Sequence, residues 1–153
     1  MRASCGRVSR PAAPGGKGQK FGFSGASSYI FTLSMISCVL AENQAWRGGA
    51  IYAEGGDLVL HLCRLVVNTA TGEGGAIFHA TAGLVLDNCL LAGNSAGSDG
   101  GAVFSDLAQV HATNCSFRGN TSAGRGGAWF RLLMTSSFAS WMSVPTSKVT
   151  VSV

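Results

Sequence analysis

One unit recurs along this chain at a constant step, and no other feature restricts the possible folds so strongly. Each copy opens with Gly-Gly-Ala, and the steps between successive copies are equal in length. The glycines are Gly48, Gly49, Gly74, Gly75, Gly100, Gly101, Gly126 and Gly127. A fixed period of roughly 20–50 residues is typical of a solenoid, in which each unit buries its apolar face against its neighbours.

Short runs of apolar and β-branched residues fill each copy, and Gly, Asn, Ser and Asp interrupt them. In the copy that begins at Gly74, the runs predict three strands, over about residues 75–79, 84–87 and 89–92, and a loop over 94–100. Apolar residues occupy alternate positions at the same place in every copy, which predicts stacked inward side chains. The sequence therefore predicts an all-β parallel β-helix of three full coils with a partial coil at each end.

Two polar or sulfur-containing columns accompany the glycines, one of cysteine and one of asparagine. We interpret the cysteines as small apolar core residues, because the chain has no C-x2-C spacing for a metal and in-register side chains point the same way. The asparagines are expected to form a ladder of amide hydrogen bonds before the loop. The members are Cys38, Cys63, Cys89 and Cys115, with Asn43, Asn68, Asn94 and Asn120.

The repeat resembles that of the polymorphic outer membrane proteins. Gly-Gly-Ala-Ile occurs at 48–51 and 74–77, with a close variant at 100–103, and Phe-x-x-Asn occurs at 117–120. The resemblance covers about residues 35–130 and implies a right-handed parallel β-helix of the kind found in the passenger domains of bacterial surface adhesins. An extracellular or cell-surface location follows as an expectation. Leucine replaces the family's phenylalanine at Leu40, Leu65 and Leu91.

Composition divides the chain into three segments. Residues 1–28 are basic and rich in Gly, Pro and Ser, which predicts a disordered tail. Residues 29–133 carry the β-helix repeats, and residues 134–153 lose the register and predict a diverged C-terminal cap or edge strand. An uncapped solenoid leaves sheet edges exposed, so edge-to-edge self-association is a further expectation. The irregular C-terminal end also fits a piece of a longer repeat protein.

The stretch 29–41 has two interpretations. Its apolar residues after a basic segment fit a late secretory signal peptide. The spacing from Cys38 to Asn43 equals that from Cys63 to Asn68, which instead favours a first, partial coil. The run is too short and too rich in serine for a transmembrane helix.

Charge limits the classes of partner. The net charge is +4, but only 12% of residues are charged and the repeats are close to neutral. The basic residues 1–28 could contact nucleic acid, but they have no interleaved aromatic residues and no binding motif, so no nucleic-acid partner is predicted. No cofactor motif and no metal-ligand spacing occur either. A protein or glycan surface is the expected partner.

Few residues suggest catalysis. The position before Gly-Gly-Ala holds Arg47, Glu73, Asp99 and Arg125 in successive copies. Stacked carboxylates could bind Ca²⁺ or cleave a glycosidic bond, but ion pairs with the arginines are the simpler interpretation. His79 shares a column with Ser105, and His61 shares one with Asp87; both histidines are predicted to point outward, and no triad can use both pairs.

The sequence thus favours a non-catalytic repeat segment of a surface or secreted adhesin-like protein. The alternative is the remnant of a carbohydrate-active enzyme that uses Glu73 and Asp99 as its catalytic carboxylates, because polysaccharide lyases and hydrolases share this fold class.

Overall fold

A computed structural model of the chain describes residues 32–132 without interruption, and the side chains of residues 32–129. Short strands are also described at 2–4, 7–9, 134–135, 138–139, 142–143 and 149–151. All regular structure in these residues is β-strand.

The strands are short, and most contain two to five residues. In chain order they are β1 (Arg2–Ser4), β2 (Arg7–Ser9), β3 (Thr32–Ile36), β4 (Val39–Ala41), β5 (Gln44–Ala45), β6 (Ile51–Glu54), β7 (Asp57–His61), β8 (Arg64–Val66), β9 (Thr69–Ala70), β10 (Ile77–Ala80), β11 (Gly83–Asp87), β12 (Leu90–Ala92), β13 (Ser95–Ala96), β14 (Val103–Asp106), β15 (Gln109–Thr113), β16 (Cys115–Arg118), β17 (Thr121–Ser122), β18 (Trp129–Leu132), β19 (Met134–Thr135), β20 (Phe138–Ala139), β21 (Met142–Ser143) and β22 (Val149–Val151).

Four sheets run along the solenoid. Sheet I contains β1, β3, β7, β11 and β15, and sheet II contains β2, β4, β8, β12, β16 and β22. Sheet III contains β5, β9, β13 and β17, and sheet IV contains β6, β10, β14, β18 and β21. The hairpin of β19 and β20 is separate. One coil passes through sheets IV, I, II and III in turn.

Successive coils lie in register. Leu84 pairs with Leu58 on one side and with Val110 on the other, so the offset equals one sequence repeat in both directions. Leu58 in turn pairs with Leu33, one residue fewer, because the first coil is shorter. The prediction of an all-β parallel solenoid is therefore confirmed.

Each coil has four strands, whereas the sequence predicted three. The fourth strand, represented by β13, lies inside the predicted loop 94–100. Its Ser-Ala sequence has little strand propensity. Backbone hydrogen bonds between coils hold it instead: Ser95 N donates to Asn68 O at 2.9 Å, and Thr121 N donates to Asn94 O at 2.9 Å.

Every corner of the coil holds a residue in the left-handed backbone region. Glycine occupies the corner before sheet IV, as in Gly74 at φ +69°. At the other corners glycine alternates with residues that have side chains, such as Val67 at φ +56° and Thr81 at φ +69°. This conformation is rare and costly for β-branched residues, so these corners carry backbone strain.

The two glycines of the repeat have different roles. Gly74 supplies the positive φ, while a Cβ on the following Gly75 would meet backbone atoms of Ser95 at 2.7 Å and the carbonyl oxygen of Gly101 in the next coil. The first glycine thus makes the turn, and the second permits neighbouring coils to approach closely.

The core is a set of inward columns between the four sheets. Each buried leucine contributes roughly 1.5–3 kcal/mol relative to full exposure. The fully or nearly buried members with the largest side chains are Met35, Ile51, Leu58, Leu60, Leu65, Ile77, Leu84, Leu86, Leu91 and Val103.

Strands from both terminal segments extend the sheets. The predicted disordered tail, residues 1–28, includes β1 and β2, which pair in parallel with β3 and β4; the rest of that tail lies outside the described residues. In the C-terminal segment 134–153, β22 pairs antiparallel with β16, and β21 pairs antiparallel with β18. Sheets II and IV therefore end in antiparallel strands.

Candidate functional site

The four asparagines form a continuous ladder at the corner between sheets II and III. Asn68 Nδ2 donates to Asn94 Oδ1 at 3.0 Å, and Asn94 Nδ2 donates to Asn120 Oδ1 at 2.9 Å. The first rung is equivalent, with Asn43 Nδ2 to Asn68 Oδ1 at 2.9 Å. All four residues are buried.

Each rung also satisfies the backbone of the corner. Asn94 Oδ1 accepts the backbone N–H of Asn68 at 2.9 Å, and Asn94 Nδ2 donates to the carbonyl of Leu65 at 3.0 Å. Buried polar groups need such partners to avoid a desolvation cost. The ladder can thus seal the corner, and its amides have little capacity left for an external ligand.

The cysteine column lies inside the coil. Cys63, Cys89 and Cys115 are free and at most 2% exposed. Contacts with the thiols of Cys115 and Cys63, together with burial, raise the pKa of Cys89. This middle thiol therefore stays neutral and behaves as a small apolar group.

The sequence predicted that every cysteine of the column is a small apolar core residue. Cys38 is instead disulfide-bonded. Cysteine spacing does not determine pairing, which explains why the sequence pattern did not reveal this bond.

Arginines engage both candidate catalytic carboxylates. Arg47 Nε lies 2.6 Å from Glu73 Oε2, and Arg125 donates to Asp99 through its backbone N at 2.6 Å and a guanidinium nitrogen at 3.1 Å. Glu73 and Asp99 are thus arranged as partners in ion pairs along one edge of the solenoid. Such partly exposed pairs contribute at most about 1 kcal/mol.

His61 forms the predicted outward pair. Its Nδ1 lies 2.7 Å from Asp87 Oδ2, and Asn88 Nδ2 donates to Asp87 Oδ1 at 2.9 Å. On the other side, His61 pairs in register with Ile36, which offers no nucleophile. The His-Asp contact therefore lacks the serine that a hydrolase triad needs.

The outward prediction is wrong for His79, which is fully buried. It lies two residues after Ile77 on sheet IV, so it shares the inward face. His79 Nε2 lies 3.1 Å from Gly56 O, while Nδ1 is without a partner. Burial lowers the pKa of His79, which keeps the ring neutral. Neighbouring Ser105, also buried, accepts a hydrogen bond from Trp129 Nε1 at 3.3 Å.

An aromatic stack on the outer face of sheet IV escaped the sequence analysis. Ring centroids of Tyr52 and Phe78 are 5.0 Å apart, and those of Phe78 and Phe104 are 5.3 Å apart, with nearly parallel planes. The Arg47 guanidinium lies 5.1 Å from the Phe78 ring. Phe78 lies between the other two rings, so both of its faces are closed to a stacking ligand. Aromatic residues at the same position of successive copies were the overlooked signal.

The tyrosine at the end of the stack contacts a carboxylate. Tyr52 donates its hydroxyl to Glu54 Oε2 at 2.6 Å, and this hydrogen bond raises the pKa of Tyr52.

The described residues contain neither a metal-binding cluster nor a helix that could span a membrane. Within residues 32–129, no group of three or more His, Cys, Asp or Glu side chains is placed to hold a metal ion. Nor does the described part of the chain contain a helix with the length and apolarity needed to span a bilayer.

Comparison with known proteins finds a family of repeats to which part of the chain is similar. Searches of curated proteins and of solved structures find no match. The family model of the Chlamydia polymorphic membrane protein repeat matches residues 88–106, which extend from the corner after β11 to the end of β14. This segment contains the cysteine, asparagine and Gly-Gly-Ala positions of one repeat. The chain is thus a parallel β-solenoid, and one stretch of it is similar to the Chlamydia polymorphic membrane protein repeat.

Proposed function

We propose that this chain is a non-catalytic β-helix segment of an outer-membrane or cell-surface protein, and that it acts in adhesion by presenting its outer faces to a protein or glycan partner. The family match at residues 88–106 carries the proposal, because that family is described as a membrane protein repeat. The regular stack of coils supports it, since solenoids provide extended binding surfaces.

The ion pairs favour this proposal over the enzyme alternative. Glycosidases need a pair of carboxyl groups positioned on the two sides of a scissile bond. Here Glu73 contacts Arg47 and Asp99 contacts Arg125, so each candidate carboxylate is already held in an ion pair with an arginine. If the purified chain cleaves a polysaccharide and Glu73→Gln abolishes that cleavage, the non-catalytic assignment is wrong.

Surface location is tested on intact cells of the source organism. An antibody against the purified chain would follow its degradation by protease added outside the cells. We expect loss of the epitope from intact cells, with a periplasmic or cytoplasmic protein preserved as the control. Protection until the cells are lysed would contradict the proposal.

The adhesion role is tested separately. The purified chain is immobilised and exposed to glycan arrays and to host-cell surface proteins, with an unrelated β-solenoid as the control. Specific, saturable binding is expected, and an absence of such binding on both would contradict an adhesive role.

A further inference from the structure

The C-terminal end of the solenoid is uneven. Beyond the last complete coil, sheet IV continues with β18 and β21, and sheet II continues with β22. Sheet I ends at β15, and the described residues contribute no strand beyond it. In the part of the chain that the structure describes, the position one strand beyond β15, about 4.8 Å away, therefore holds no strand, and we call this position the gap.

Backbone groups of β15 face this gap. Gln109 N donates to Ala82 O at 3.2 Å, and Asn88 N donates to Thr113 O at 3.0 Å, so both ends of β15 bond to β11. Because alternate residues of a parallel strand bond to the same neighbour, Val110 and Ala112 turn their N–H and C=O groups the other way. Four backbone groups are thus directed at the gap.

Apolar side chains line the inner side of the gap. Val110 continues the column of Leu84, and Ala112 continues that of Leu86. Both leucines are fully buried, whereas Val110 and Ala112 are only partly buried. Trp129 packs against the same end of the core. A further strand would cover this apolar surface with its own inward side chains.

The repeat itself explains why the chain leaves the gap. The position one repeat after Val110 is Ser136, a polar residue at a core position. The position one repeat after Ala112 is Phe138, but Phe138 belongs to β20, which pairs with β19 and not with sheet I. The sequence that would have formed the next strand of sheet I has diverged.

We propose that β15 accepts an extended segment of a partner polypeptide by strand addition, with apolar residues at alternate positions covering Val110 and Ala112. The neighbouring β21 and β22 extend past β15 on either side, so the folded end of a second solenoid would collide with them before reaching it. A single extended strand of about five residues would match the length of β15. This inference rests on the proposed role as a binding protein and names the site and the partner class.

The chain's own sequence supplies the probe. A fluorescein-labelled peptide with the sequence of residues 82–88, Ala-Gly-Leu-Val-Leu-Asp-Asn, carries two leucines at the spacing that sheet I buries. We expect saturable binding to the full chain in fluorescence anisotropy. The same peptide with both leucines replaced by serine should bind at least about tenfold more weakly, because the apolar contact is lost.

Ala112→Pro tests the backbone contact. This substitution removes an N–H that faces the gap, at an edge position where proline is tolerated. We expect the Kd of the peptide to rise at least about tenfold. His111→Ala is the matched control, because the His111 side chain is exposed and its backbone groups bond to β11; its Kd should stay within about twofold of the wild-type value.

Folding of each variant is checked by circular dichroism, and Val110→Lys replaces Ala112→Pro if the proline variant unfolds. Absence of peptide binding to the wild-type chain overturns the proposal, and so does a folded gap variant that binds the peptide with the wild-type Kd. So does slow amide exchange of Val110 and Ala112 in the free protein, since that would show that the gap is already filled. None of these binding results depends on cell-surface location. The strand-addition proposal and the proposed function can therefore be refuted independently of each other.

Discussion

Replacing Asn94 with alanine is the most informative perturbation of the asparagine ladder. Asn94 is fully buried and lies between two other rungs. Its Oδ1 accepts the backbone N–H and the side-chain Nδ2 of Asn68, and its Nδ2 donates to Leu65 O and Asn120 Oδ1. Alanine removes all four contacts without changing the backbone conformation that the corner requires.

The expected loss of stability follows from the partners left behind. The Asn68 N–H and one Nδ2–H of Asn68 lose their partners. The Leu65 carbonyl keeps its hydrogen bond in the parallel ladder between β8 and β12, and Asn120 Oδ1 retains the backbone N–H of Asn94 at 2.9 Å. A buried polar group without a partner costs about 1–3 kcal/mol. Two such groups, partly relieved by water entering the space, reduce the free energy of unfolding by about 2–4 kcal/mol.

Asn43→Ala is the matched control at the end of the ladder. Asn43 donates Nδ2 to Asn68 Oδ1, which would still accept the backbone N–H of residue 43 at 3.1 Å. This variant should lose only about 1 kcal/mol. Urea unfolding monitored by circular dichroism gives both values. If Asn94→Ala costs no more than Asn43→Ala, the ladder does not stabilise the corner as argued.

Three further predictions concern single positions. Val67→Gly should raise the free energy of unfolding by about 1 kcal/mol in urea titrations, because valine at φ +56° is strained and the equivalent Gly93 is not; a loss of stability would contradict this. Gly74→Ala should destabilise by more than about 1 kcal/mol, because φ is +69° and the new Cβ would meet the Ile77 carbonyl; an unchanged unfolding midpoint would refute the reasoning. Burial lowers the pKa of His79, so protonation opposes folding and this contribution to stability is lost as the pH falls below about 6.5. His79→Ala should therefore remove up to about 2 kcal/mol of the stability difference between pH 7.5 and 5.0, and an identical pH dependence in both proteins would exclude this role.

The repeat made the architecture readable from the sequence. Residues at a constant step must occupy equivalent places in a solenoid, so Leu84 could be placed between Leu58 and Val110 without knowledge of the coordinates. The short strand β13 could not be predicted, because hydrogen bonds between coils determine it and its two residues have no strand preference.

The side-chain environment was harder to predict than the register. Column assignment placed His79 next to Ser105 but did not show which face of sheet IV the column occupies. The contact of Arg47 with Glu73 could be predicted, because the two residues occupy the same position in successive copies. The antiparallel pairing of β21 and β22 could not be predicted, because their sequences no longer follow the repeat. The repeat therefore predicts contacts between coils only in the part of the sequence where the repeat is retained.

The pattern of backbone contacts between coils tests the central claim most directly. Nuclear Overhauser effects between backbone protons on neighbouring strands would be measured for the labelled chain in solution. Stacked parallel coils predict contacts at a constant offset of one repeat along each strand from β7 to β15, as between Val59, Val85 and His111. An offset that changes by two with each residue, as antiparallel pairing produces, or contacts three to four residues apart, as in a helix, would contradict the account.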